Sequence, residues 1–171
     1  MIKPDLIITQ PIHVDFPLFR YNMKRFRSYF NEVYIGLSNH GQLEDYSDFF
    51  IHDMDAKFKS VPRIEGSEDW RDKVVNLLLD KSEADYVLFL EQDFLVRDER
   101  FFEILLNQTE YDAVYYSEQG RVHPACILIP RHIIDKTSKD FSARPPHHDH
   151  FGQFAAEFMR ISNSADLETI A

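Results

Sequence analysis

The sequence predicts an α/β protein, a three-layer sandwich built on a mostly parallel central sheet. Two observations carry this. Short apolar, β-branched runs alternate along the chain with segments of helical period. One of the runs, ADYVLFLEQDFLV at 84–96, is apolar at consecutive positions, as in a strand buried on both faces.

DLIITQ (5–10) reads as the first strand. Pro17 suits a first helical position, and Leu18, Tyr21, Phe26, Tyr29 and Phe30 follow at roughly helical spacing. NEVYIGLSN (31–39) reads as strand two, stopped by His40-Gly41. Residues 41–56 are acidic and aromatic without clean period. AKFKSVPRI (56–64) reads as an edge strand, because Pro62 is poorly tolerated in a central one. Ser67 is a candidate N-cap, Asp69 and Asp72 favour a helix start, and WRDKVVNLLLDK (70–81) gathers Trp70, Val74, Leu77 and Leu78 on one face. The 84–96 strand follows, then a helix at 99–108, strands at 111–118 and 123–130, a loop with a proline pair at 138–148, and a helix at 149–161 opening on Asp149. The 171 residues are expected to form one domain, with a first half to about 96, a second to about 161 and a tail at 162–171.

Composition narrows the function. The formal net charge of −10 disfavours a general grip on nucleic acid, although MKRFR at 23–27 concentrates three cations. One cysteine excludes an internal disulfide and a cysteine-based zinc site, and Cys126 in VHPACILIP reads as a small buried hydrophobe. No apolar run approaches the ~18 residues of a membrane span, and the N-terminal apolar run is short and interrupted by Pro11 and His13. A cytoplasmic protein is expected. With five glycines and neither GxxxxGK[ST] nor GxGxxG, phosphate loops of the usual kinds are missing.

Ligands of open α/β sheets bind beyond the carboxyl ends of the strands. Glu91 and Asp93 stand there, two residues apart and so on one side of an extended chain. Together they suit one hard divalent cation, Mg²⁺ or Mn²⁺, with coordination sites left for diphosphate oxygens. A strand end carrying two solvated acids is the structural alternative. The second unusual stretch is RPPHHDHFGQF (144–154), with three histidines and an aspartate in four residues. It reads as a site segment, as a polar loop with a helix cap, or as a histidine zinc site. Trp70 and His123 each have a core or structural reading and a ligand reading.

The strand-plus-acid pattern DYVLFLEQD, after an N-terminal strand and an amphipathic helix, resembles the nucleotide-sugar-binding half of GT-A glycosyltransferases, where an apolar strand ends in a DxD motif. The resemblance spans about 5–130 in element order and is close over about 65–96. Here Glu91 replaces the first Asp, and the GG-F-D/E acceptor segment is missing. The resemblance implies a donor nucleoside-diphosphate sugar and a Mn²⁺ or Mg²⁺ ion. Asp93 would bind the metal, and Glu91 the metal or the ribose. Gln10 and Pro11 would lie along the nucleoside, Asn39 by the base, and Arg71 and Lys73 near nucleotide or diphosphate. His148 or His150 would complete the metal site. Asp149, at a helix N-terminus that lowers its pKa, would be the general base of an inverting transfer to an acceptor hydroxyl. That acceptor is a glycan, lipid, protein, small molecule or, less in keeping with the charge, a modified nucleic acid. Two rivals stand beside this: a non-catalytic, partner-recruiting domain, and a nucleotidyltransferase, whose glycine-rich loop is replaced here by TQPIHVDFP. The short chain also fits a homo-oligomer or a separate acceptor-binding domain.

Overall fold

The structure is a computed structural model that describes residues 1–10, 21, 23–38, 57–61, 70–91, 96–98, 100–108, 110–118, 121–142 and 151–170. Seven strands, β1 (Asp5–Gln10), β2 (Val33–Ser38), β3 (Lys57–Val61), β4 (Tyr86–Leu90), β5 (Ala113–Glu118), β6 (Arg121–Pro130) and β7 (Ser164–Asp166), form one sheet in the order β3-β2-β1-β4-β6-β5-β7. β1 to β4 are mutually parallel, β6 is antiparallel to both its neighbours, and β7 pairs parallel with β5. β3 is an edge strand, as its sequence predicts.

The single reversal has a simple cause. Gln119 and Gly120 are all that separate β5 from β6, and a parallel pair would need a crossover of a dozen or more residues. β6 is central, yet it contains Pro124, which has no N–H for the ladder. The ladder makes room: Tyr115 pairs with Ile127 and Tyr116 with His123, so Pro124, Ala125 and Cys126 bulge out of register with β5.

Five labelled helices flank the sheet: α1 (Trp70–Leu79), α2 (Arg100–Leu106), α3 (Arg131–Ile134), α4 (Gly152–Ile161) and α5 (Leu167–Ile170). Before them, Tyr21 and residues 23–26 are helical and run into a 3-10 turn, Arg27–Tyr29. The period-2 alternation of strands splits the core in two. Leu6, Ile8, Leu88 and Leu90 face Met23, Phe26, Phe30 and Phe102 on one side. Ile7, Val87 and Phe89 face Val74, Leu78, Phe141 and Phe154 on the other. Both faces are covered, which is why β4 is apolar throughout. β7 and α5 occupy the stretch read as a tail: SADLETI is too short and too polar to announce a strand and a helix.

The amino ends of the parallel strands carry a polar clasp. Asp5 is buried, and its carboxylate accepts hydrogen bonds from Asn31 Nδ2 (3.0 Å), the Glu32 N–H (3.1 Å) and Ser82 Oγ (2.7 Å). Removing it takes the acceptor from the buried Ser82 hydroxyl and from the two part-buried bonds to Asn31 and Glu32. Asp5→Ala is expected to lower stability by about 2 kcal/mol, read by urea unfolding. Cys126 is fully buried, as expected, and burial pushes its thiol far above the usual range. A disulfide reagent such as DTNB should therefore label it at a rate set by unfolding and promptly in denaturant; prompt labelling of the folded protein would contradict this.

Candidate functional site

Because β1, β2 and β4 are parallel and adjacent, their carboxyl ends share one edge of the sheet. Gln10, the last residue of β1, pairs in register with Leu37, and β2 ends at Ser38. Glu91 follows Leu90 at the end of β4 and is half-buried. Strand alternation puts it on the side of Val87 and Phe89, the side packed by α1 and α4. β6 runs the other way, so its first residues, His123 among them, lie toward the same edge.

α1 follows β3 and precedes β4, which are parallel. It therefore runs back across the sheet, and its first turn, with Trp70, Arg71, Asp72 and Lys73, belongs to this edge as well. Lys73 is exposed; Gln10, Trp70, Arg71 and His123 are placed through their backbones. Pro11, Asn39, Asp93, His148, Asp149 and His150 lie outside the described residues, and among the described residues no three His, Cys, Asp or Glu side chains form a metal-binding group.

The second segment meets the first through aromatic rings. Phe151, one residue after His150, packs its ring on Phe89 with centroids 5.2 Å apart in a T-shaped contact. Phe141 and Phe154 approach the same ring at 5.7 and 5.9 Å. Phe141 and Phe151 are 4.9 Å apart, and the Phe151 N–H donates to the Phe141 carbonyl (3.3 Å). Phe141 and Phe151 thus meet each other and the side chain two residues before Glu91.

One expectation is corrected here. The sequence opens the last long helix at Asp149, but α4 begins at Gly152. Phe151 precedes it with φ 67°, a left-handed conformation unusual for a bulky residue and incompatible with a first helical turn. Asp149 itself lies outside the described residues.

Three described residues escaped the sequence reading. Asp72, taken as a helix-start acid, accepts the Phe141 N–H (2.8 Å), and Asn76 Nδ2 donates to the Lys139 carbonyl (3.1 Å). α1 thereby grips the strand of chain that carries Phe141. Glu157 of α4 accepts from the Ser138 N–H (2.5 Å) and from Gln153 Nε2 (2.8 Å), bonds that hold its carboxyl below the usual range. Nothing local in the sequence pairs Asp72 with residue 141, 69 positions away. Beyond β4, Asp98 accepts from the Arg100 side chain and the Arg100 N–H, which hold its carboxyl at about 2 and cap α2.

No protein-family model matches the chain. No curated protein matches it in sequence. Solved structures do match in fold. The TarS structure from S. aureus aligns with TM-score 0.66 at 14% identity, over 97% of this chain and 35% of that one. A protein of Desulfovibrio desulfuricans assigned as a nucleotide-diphospho-sugar transferase aligns with TM-score 0.59 at 12% identity, over 98% and 80%. The architecture is the α/β fold of the nucleotide-diphospho-sugar transferases. The mannosyltransferase PcManGT from Pyrobaculum calidifontis, solved with GDP-Man and Mn²⁺, aligns with TM-score 0.56 at 13% identity, over 79% and 46%. The chain thus spans less than half of TarS and of PcManGT. Among the described residues no helix is long and apolar enough to cross a membrane.

Proposed function

We propose that the chain is a metal-dependent glycosyltransferase that moves a sugar from a nucleoside-diphosphate donor to an acceptor hydroxyl, with inversion at the anomeric carbon. One observation carries the reading. Phe151, adjoining His148–His150, packs on Phe89, two residues before Glu91 and four before Asp93. This contact supports a reading in which the two stretches singled out for chemistry share one edge of the sheet, the edge where open α/β sheets bind ligands.

In this reading Glu91 and Asp93 supply hard carboxylate oxygens to Mn²⁺ or Mg²⁺, and His148 or His150 adds an imidazole nitrogen. Glu91 fits such a role, being a half-buried carboxylate at the strand end. When bound, the ion offsets charge developing on the departing diphosphate. Gln10, Pro11 and Asn39, at the ends of β1 and β2, line the nucleoside, and Arg71 and Lys73 in the first turn of α1 attract the phosphates. Asp149 takes the acceptor proton as the hydroxyl attacks. Residues 1–171 act as one catalytic domain; because larger fold neighbours extend well beyond it, a second copy or a separate domain contributes to binding the acceptor.

Calorimetric titration with UDP, GDP and CDP and their sugars, with and without Mn²⁺, tests this. Metal-dependent binding that Asp93→Ala weakens at least tenfold is the expected result. No binding to any of these ligands sinks the proposal. Binding without donor turnover or hydrolysis would leave the partner-recruiting module as the better description, and a hydrolysis rate unchanged in Asp149→Asn would count against that base.

A further inference from the structure

Asp72 lies between Arg71 and Lys73 in the first turn of α1, at the edge where the parallel strands end. A carboxylate there works against a diphosphate site, since like charges repel across a short distance. Its hydrogen bonds show another use. Oδ1 accepts the Phe141 N–H at 2.8 Å and lies 3.3 Å from Asn76 Nδ2, whose N–H₂ also reaches the Lys139 carbonyl at 3.1 Å. Lys139 takes φ 57° just before this contact, and Phe151, which meets Phe141, takes φ 67°. Two left-handed non-glycine residues are held in place by the packing and hydrogen bonding between them. Phe141, fully buried, packs in tilted ring contacts against Phe89, Phe151 and Phe154.

We infer that Asp72 is a positioning residue of the donor site. By accepting the Phe141 N–H it fixes the distance between the first turn of α1 and the aromatic base at the tip of β4. The inference rests on the glycosyltransferase reading, because that reading puts the donor phosphates between these two parts. Asp72 acts through Phe141 and touches no substrate in this account.

Electrostatics and positioning predict opposite signs. Deleting a carboxylate beside a site for a dianion should tighten binding if charge alone matters. If Asp72 positions the site, Asp72→Ala should weaken it despite the lost repulsion. Asp72→Asn keeps an oxygen that can accept the Phe141 N–H, and should restore binding.

The experiment measures GDP and UDP dissociation constants with Mn²⁺ for wild type, Asp72→Ala, Asp72→Asn and Asp5→Ala, at a temperature where thermal melts show all four folded. Asp5→Ala serves as a variant destabilised at the opposite edge of the sheet. Support is a loss of about tenfold or more in Asp72→Ala, near wild-type affinity in Asp72→Asn, and no change in Asp5→Ala. Unchanged or tighter binding by Asp72→Ala, or equal losses in Asp72→Ala and Asp5→Ala, overturns the positioning role while the function stands. If wild type binds neither nucleotide, the functional reading falls and this inference falls with it.

Discussion

Phe89→Ala is expected to lower the stability of the fold by about 3–5 kcal/mol, read as a lower urea midpoint at unchanged slope. Phe89 is 2% exposed. Its ring is met by three others whose centroids lie 5.2 to 5.9 Å away, two of them edge-on, the arrangement favoured by aromatic quadrupoles. Those neighbours come from separate parts of the chain: Phe141 after α3, Phe151 at the head of α4 and Phe154 within it. The wall opposite a missing ring cannot collapse as a unit, so a cavity term adds to the lost transfer free energy. Phe89→Leu fills most of the volume and should cost less, about 1–2 kcal/mol. The change should also be felt locally. Phe151 keeps a left-handed φ against its own preference, and Phe89 is part of what holds it there. In Phe89→Ala the amide of Phe151 should lose hydrogen-exchange protection by more than the global change in stability predicts, while the β1–β2 amides follow the global change. Equal changes at both places would mean that Phe89 supports the core without specifically holding the base of the 142–150 stretch.

What the sequence reveals and what it hides divide along physical lines. Elements whose burial is periodic are legible: β1, β2, β4 and α1 could be read from apolar spacing, and the run at 86–90 also told that helices cover both faces. The hairpin of β5 and β6 follows from a connection too short to cross over. The order of the strands is less accessible, because nothing local in either strand of the hairpin shows that β6, and not β5, pairs with β4. β7 escapes because three residues pairing with β5 have no period to detect. The same holds for the site. Glu91 at a strand tip is a local fact and could be placed from the sequence. The meeting of Phe89 with Phe151 spans 62 positions and depends on a backbone conformation that phenylalanine disfavours. Asp72 shows the hazard most clearly: a first-turn aspartate is sufficiently explained by the helix dipole, and its bond to Phe141 gives no sign in local sequence.

Gly36→Val should destabilise by about 3 kcal/mol or somewhat more, against the ordinary preference of a strand. In an unconstrained strand the exchange would be favourable, since glycine loses more backbone entropy on folding and valine suits the pleat. Gly36 lies in β2 beneath α1, and a Cβ built there falls 2.1 Å from Val74 Cγ1 and 3.3 Å from Leu78 Cδ1. Val74 and Leu78 are themselves buried, so neither can swing into solvent. The helix must shift or the side chains must leave their rotamers. Gly36→Ala presents the same first carbon with fewer atoms behind it, and should cost about 2 kcal/mol. The partner is then testable by a double-mutant cycle. Val74→Ala alone leaves a void and destabilises; combined with Gly36→Ala, the new methyl enters the space that the Val74 methyls vacate. The double variant should therefore be more stable than the sum of the single changes by about 1–2 kcal/mol. Additivity would mean that β2 and α1 separate to admit the methyl instead of repacking around it. That outcome would bear on the site too, because the close seat of α1 on Gly36 sets how far Asp72, two residues before Val74, stands from the Phe141 N–H it binds.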